Sequence, residues 1–250
     1  MVGRFFVCRK NGRGADVSIH VVLLAHTPSP DMVVAGSARI CYSECSAVEL
    51  IDGFPDRTRA VRLVDSLLQS GHMSPFEHAN FTFAVDGISR VCSHQLVRHR
   101  IASFSQQSQR YVKMSDAAVV VPPSVASSEE ASSVFRGAVE EGYRRYERLL
   151  ELGISREDAR YVLPHGWETK LVMTMNAREL HHFFTLRLCH RAQWEIRHLA
   201  REMLRCVRTV APILFTLAGP SCVVDGACRE RHSCGHPFGS MEELLEHEDA

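Results

Sequence analysis

The segment from Gln95 to Tyr111, QLVRHRIASFSQQSQRY, concentrates side chains that bind anions. Arg98, His99 and Arg100 stand together, Ser103, Ser105 and Ser108 follow, and Arg110 closes the run. Gln95, Arg98 and His99 fall at i, i+3 and i+4, the spacing that puts three side chains on one helix face. Arginine's planar fork matches a phosphate, and serine hydroxyls add neutral donors around it. No carboxylate interrupts the stretch, so its cations lack an internal partner. The chemistry is that of an anion site for a small phosphorylated molecule with a polar ring. The competing reading is a solvated basic face, and spacing alone names no particular anion.

Other chemistries lack their motifs. There is no G-x-G-x-x-G after a strand and no G-x-x-x-x-G-K-[ST] loop, so neither a Rossmann motif nor a P-loop is expected. Without H-E-x-x-H, the histidines do not indicate a zinc hydrolase. His94, His165, His181, His190 and His198 read as surface or satisfied core residues. Without a G-x-S-x-G elbow, Ser108 is not a hydrolase nucleophile. Nine cysteines, most inside periodic apolar segments, read as reduced thiols of a cytoplasmic protein. Cys222, Cys228 and Cys234 recur with five residues between neighbours in a turn-rich tail. Such soft ligands could bind zinc, with Cys189 as a fourth. The paired C-x-x-C spacing is absent, so free or packed thiols are expected there, and no metal.

These residues must be positioned by a core, and 250 residues with 45% hydrophobic content suffice for one. A formal net charge of zero argues against a general binder of nucleic acid polymers or membrane surfaces. No apolar run approaches the roughly 20 residues of a membrane helix. Residues 1–16 read as an extension, not a signal peptide. Strands are expected at Val17–Ala25, at Phe81–Val85 before an Asp86-Gly87 turn, at Val119–Val121 and at Trp167–Met175. Helices are expected at Asp31–Tyr42, after Asp56 up to Gly71, and at Arg90–Arg98 running into a polar loop. A longer helix carries Phe135, Val139, Tyr143, Tyr146, Leu149 and Leu150 and stops at Gly153. Ser155 and Asp158 resemble a capping box, and two more helices follow at Asn176–Phe184 and Ala192–Val210. Trp194 reads as core. The fold class is α+β, a single domain with helices packed on a mixed sheet, followed by a cysteine-containing tail over residues 219–250.

The order RHR-x-x-S-x-x-x-x-S-x-R-Y, from Arg98 to Tyr111, resembles the signature of flavin-dependent thymidylate synthases. Segments on both sides support it: ARICYS at Ala38–Ser43, HMSPFEH at His72–His78, RYVLP at Arg160–Pro164, Asn176-Ala177-Arg178, Leu186-Arg187, and AQWEI at Ala192–Ile196. The resemblance spans about residues 17–215 and implies that residues 17–218 are a catalytic domain with that family's fold.

It further implies FAD as cofactor, NADPH and 5,10-methylenetetrahydrofolate as co-substrates, and dUMP as the molecule methylated to dTMP. FAD would lie between subunits of a homotetramer, contacting Asn80, Arg98, His99, Arg100, Gln106, Asn176, Ala177, Arg178 and His182, with His78 near the flavin. The dUMP contacts would be Gln95, Leu96, Val97, Arg98, Gln106, Gln107, Ser108, Gln109, Arg110, Arg160 and Arg187, with Arg187 the catalytic residue facing the pyrimidine. Many members have Asn-Glu where Ser105-Gln106 stand here, which puts in doubt only the polar contacts at that point. A non-catalytic nucleotide-binding regulator on the same scaffold is the alternative, but it would be favoured by loss of Arg98, Arg187 or the Asn176/Arg178 pair, and all are present.

Overall fold

The computed structural model describes residues 6–7, 19–52, 57–114 and 118–247. Its sheet has five strands: β1 (Phe6–Val7), β2 (His20–His26), β3 (Asn80–Ser89), β4 (Ala102–Gln106) and β5 (Glu168–Asn176). Their order is β1-β2-β3-β5-β4. Every described pairing is antiparallel, so the sheet is not mixed as expected. The reason is topological. β3 and β4 run parallel to one another, but β5 inserts between them and pairs antiparallel with both. Phe6–Val7 falls inside the segment read as an extension and pairs with β2 at the sheet edge. The rest of residues 1–16, Val17 at the start of the expected first strand, and Asp56 lie outside the described residues.

Eleven described helices surround the sheet: α1 (Pro30–Ile40), α2 (Ala47–Asp52), α3 (Arg57–Ser70), α4 (Arg90–Leu96), α5 (Pro123–Ala126), α6 (Glu129–Glu151), α7 (Arg156–Ala159), α8 (Ala177–Arg187), α9 (Trp194–Val210), α10 (Ser221–Val224) and α11 (Met241–Glu246). Single 3-10 turns occupy Ser74–His78 and Arg160–Val162. None of the helices is long and apolar enough to cross a membrane.

The period-2 alternation of the strands decides which face is covered. Phe81, Phe83 and Val85 of β3, with Leu171, Met173 and Met175 of β5, point into the core. Against them pack Leu180, Phe183 and Phe184 of α8 and Ile196, Leu199, Met203 and Val207 of α9. Each such side chain contributes roughly 1.5–3 kcal/mol by leaving water. A second cluster joins Val139 and Tyr146 of α6 to Ala159, Leu163 and Trp167, with Tyr143 stacked on Trp167 at 5.6 Å between ring centroids. Trp194 is only half-buried and stands outside both clusters.

Two local expectations change. Asp86-Gly87 does not end β3. Gly87 adopts φ 75° and the register shifts between Val85 and Ile88, so the pair makes a bulge and the strand continues to Ser89. The polar stretch after α4 is an edge strand, β4, because Ser103 and Ser105 face solvent while Ala102 and Phe104 turn toward the core. Val119 makes only an isolated bridge to Trp167. The tail is partly integral: Phe238, Met241 and Leu244 are buried in the main core.

Candidate functional site

The site starts with Ser89. Its hydroxyl caps α4 by accepting from Cys92 N at 3.0 Å. The same hydroxyl and the Ser89 backbone N–H both donate to the buried Glu195 carboxylate at 2.6 Å. Burial pushes the Glu195 pKa up, and the two Ser89 bonds pull it back. This clamp joins the start of α4 to the start of α9. The other end of α4 then delivers Gln95, Arg98 and His99 to a fixed place.

His99 is buried, 3% exposed, and held from two sides. Its Nδ1 is 3.0 Å from Glu179 Oε1, and its Nε2 accepts from Arg187 Nε at 3.1 Å. A guanidinium only donates, so Nε2 carries no proton and Nδ1–H donates to the carboxylate. Burial lowers the His99 pKa below its usual range, the Glu179 bond opposes this, and the adjacent Arg187 and His182 lower it further. The imidazole is therefore neutral at pH 7. Arg187 also reaches the Gln95 carbonyl at 3.5 Å. Gln95 Nε2 donates to Gln193 Oε1 at 3.3 Å, and that same oxygen caps α9 by accepting from Ile196 N.

His99, Glu179 and His182 bring one ligand atom each within 4.8 Å of one another. They do not read as a metal centre. Both His99 nitrogens are engaged, and a permanent cation, Arg187, stands at Nε2.

Asn80 and Asn176 pair in register at the ends of β3 and β5. Asn176 caps α8 through Oδ1, which accepts from Glu179 N at 2.9 Å and so sets the carboxylate that holds His99. Ala177 is fully buried, and its N–H donates to Ala79 O at 2.8 Å. Arg178 Nη1 donates to Glu77 Oε1 at 2.5 Å, beside His78 in the 3-10 turn. His182 is exposed, with its ring 5.5 Å from that of His99. Arg98 and Arg100 are exposed and their side chains have no hydrogen bond or ion pair among the described residues. Leu96 is a core residue, so only its backbone is open to a ligand, while Val97 is 41% exposed.

The remaining expected residues form a second group. Gln106 Nε2 donates to Thr169 Oγ1 at 3.1 Å, and Gln107 N donates to Lys170 O. Ser108 Oγ accepts from Arg110 N, turning the chain, and Gln109 is half-buried beside it. Arg110 Nε donates to Glu157 Oε2 at 2.5 Å, while Arg160 Nε donates to the Glu157 carbonyl at 3.1 Å. Arg156 Nη1 ties the two loops together by donating to Tyr111 O at 2.7 Å. This group and the His99 group lie at opposite ends of β4. At about 3.4 Å per residue, the five-residue strand separates them by roughly 14 Å or more. The expected site residues of one subunit thus fall into two separate groups.

Glu179, Gln193 and Glu195 were not singled out from sequence. Glu179, His182 and Phe183 do share one helix face at i, i+3 and i+4, and that spacing was the available signal for Glu179. Gln193 and Glu195 lie inside the AQWEI segment, but nothing in it points to Ser89, the partner of Glu195 106 residues away.

The sequence model of the family described as "Thymidylate synthase complementing protein" matches residues 22–213. The chain is similar to the flavin-dependent thymidylate synthase of Geobacter sulfurreducens, 50% identical over 212 residues that cover 84% of this chain and 90% of the relative. It is 45% identical over 240 residues to the flavin-dependent thymidylate synthase of Clostridium tetani, covering 89% and 96%. Among solved structures it is similar to the UMP/dUMP methylase PolB of Streptomyces cacaoi bound with 5-Br dUMP. That likeness has TM-score 0.71 and 30% identity, and covers 80% of this chain and 93% of the other.

Proposed function

The chain belongs to the family of flavin-dependent thymidylate synthases, and on that premise we propose that it methylates dUMP to dTMP with FAD as cofactor, NADPH as reductant and 5,10-methylenetetrahydrofolate as one-carbon donor. The observation that carries the reading is the Glu179–His99–Arg187 chain, which holds a charged guanidinium against a neutral imidazole next to unengaged cations. The solved relative's ligand, a dUMP analogue, supports the choice of nucleotide.

The donor set fits a dinucleotide flavin. Arg98 and Arg100 offer positive charge for a pyrophosphate, and Asn80, Asn176, Arg178 and His182 offer donors at the adjoining strand and helix ends. When bound, the flavin supplies the two-electron chemistry by which the folate's methylene becomes a methyl group at uracil C5. The protein's own part is orientation and electrostatics. Arg187, fixed by His99 and the Gln95 carbonyl, faces the pyrimidine and stabilises negative charge that develops on it. Gln95 and Arg98 bind the nucleotide from the same end of β4, and Gln106–Arg110 with Arg160 bind its phosphate.

The separation of the two groups supports a homotetramer in which each site combines segments of different subunits. Exposed apolar residues supply surface for such contacts: Val172 on the outer face of the sheet is 40% exposed, and Val97 and Ile101 between α4 and β4 are 41% and 64% exposed. The test is anaerobic. Protein reduced by NADPH and mixed with dUMP and methylenetetrahydrofolate should reoxidise its flavin with dTMP as product. A colourless protein, or flavin reoxidation without dTMP, would sink the proposal.

A further inference from the structure

The chain from Asp225 to Pro237 has no helix or strand, and of its thirteen residues only Cys234 is even half-buried. Such a segment has no apolar contacts to hold it. Both its flanks are nevertheless anchored. On one side α10 follows the buried Gly219-Pro220, and on the other Phe238, Met241 and Leu244 enter the core. Arg201 Nε donates to Leu244 O at 3.0 Å, fixing α11 against α9. Between the anchors, exposed polar contacts such as Arg191 Nη1 to Glu230 Oε2 at 3.0 Å and Arg229 N–H to Ser221 Oγ at 3.0 Å tie the stretch, which leaves room for a stronger device.

Four cysteines are placed to supply it. Cys189, just past α8, and Cys222, Cys228 and Cys234 of the tail all line one cavity of about 750 Å³. None of them is in a disulfide. Two of the sulfurs already accept backbone N–H groups two residues on. His236 N lies 3.4 Å from Cys234 Sγ, and Arg191 N–H points at the Cys189 sulfur. Gly235, with φ 80°, makes the tight turn that allows the first of these. Cys222, Cys234 and Glu230 all lie close to Cys189. Four free thiols on the wall of one cavity are a ligand set suited to a soft cation.

We propose that Cys189, Cys222, Cys228 and Cys234 form a tetrahedral thiolate site for one soft divalent cation, zinc above others, which staples the C-terminal segment to the end of α8. Binding displaces the thiol protons to solvent, leaving four thiolates around one dication. No three of the sulfurs lie within 4.8 Å of one another. At a Zn–S distance of about 2.3 Å they must draw in to about 3.8 Å, so the loop tightens on loading. A site with four protein ligands and no open position is structural, not catalytic.

The test uses the full-length reduced protein. Elemental analysis after purification without chelator should give one zinc per subunit. After metal removal, anaerobic Co²⁺ titration should saturate at one per subunit, with thiolate-to-cobalt bands and intense ligand-field bands to the red of any flavin absorption. Cys228→Ser and Cys234→Ser should lose or weaken these bands, while Cys41→Ser and Cys45→Ser, at exposed positions elsewhere, should keep them. Metal removal should lower the melting temperature by about 5 °C or more. Protein with neither zinc nor a cobalt–thiolate spectrum overturns the proposal. So does a spectrum untouched by substitution of the tail cysteines, or a disulfide among the four in freshly purified protein.

Discussion

Arg187 donates its Nε–H to His99 Nε2 across 3.1 Å, and that one bond defines the tautomer of the imidazole. Because the arginine offers only protons, the histidine proton resides on Nδ1 and is directed at Glu179. A residue at the end of α8 and one just after α4 thus share a hydrogen-bond chain that ends in a carboxylate at the start of α8. Protonating His99 would set two donors against each other at Nε2, and its lowered pKa keeps this from happening near neutrality.

Arg187→Lys keeps the positive charge but loses the Nε–H that His99 receives and the planar fork. The variant should retain flavin and its reduction by NADPH, while dTMP formation slows by about 10²-fold or more, the scale for removing one preorganised donor. Separate measurement of the reductive and oxidative half-reactions checks this. Near-normal dTMP formation would reduce Arg187 to a structural role.

Asn176 has a structural task and a proposed binding task, and substitutions separate them. Asn176→Ala removes the cap of α8 and should cost about 1 kcal/mol of stability by chemical denaturation. Asn176→Asp keeps the capping oxygen but loses the amide donor, so stability should hold while FAD affinity falls. Equal FAD affinity in Asn176→Asp and the unsubstituted protein would confine the residue to capping.

His181 carries a pH dependence of stability. Its ring stacks on Phe215, its Nε2 donates to Leu214 O at 2.9 Å, and burial lowers its pKa to about 4. In the unfolded chain the value is about 6.5, so between pH 6.5 and 4 the unfolded state binds more protons and stability falls as pH falls. The loss is on the order of 3 kcal/mol once pH is below about 4. Buried Asp31 and Glu195, whose pKa values are raised, act in the opposite sense. Comparison with His181→Gln, which still donates to the carbonyl, isolates the contribution. Its melting temperature should drop less between pH 7 and 5, and identical drops would refute the assignment.

The two groups at opposite ends of β4 predict complementation between subunits. Arg187→Ala and Arg110→Ala proteins, each inactive alone, should recover part of the activity when mixed and reassembled. Sedimentation should give a tetramer. A catalytically active monomer, or mixing without recovery, would show that one subunit builds the whole site.

What the sequence by itself determined is what local spacing encodes. The RHR run with its serines, the alternation of Phe81, Phe83 and Val85, and the apolar stripe of α6 are legible because backbone geometry repeats within a few residues. Most helices and three main strands, β2, β3 and β5, follow from that, as do the candidate ligands. Tertiary structure decided the rest. Glu179 and Arg187 meet His99 across 80 and 88 residues of chain, and no periodicity reaches so far. β5 pairs between β3 and β4 although it follows both in sequence, which made the sheet antiparallel where a mixed one was expected. Cys189 joins three tail cysteines in one cavity only because Phe238, Met241 and Leu244 fold the tail back onto the core. Local pattern selects elements through short-range sterics and burial; which elements become neighbours depends on how their apolar faces fill one common interior.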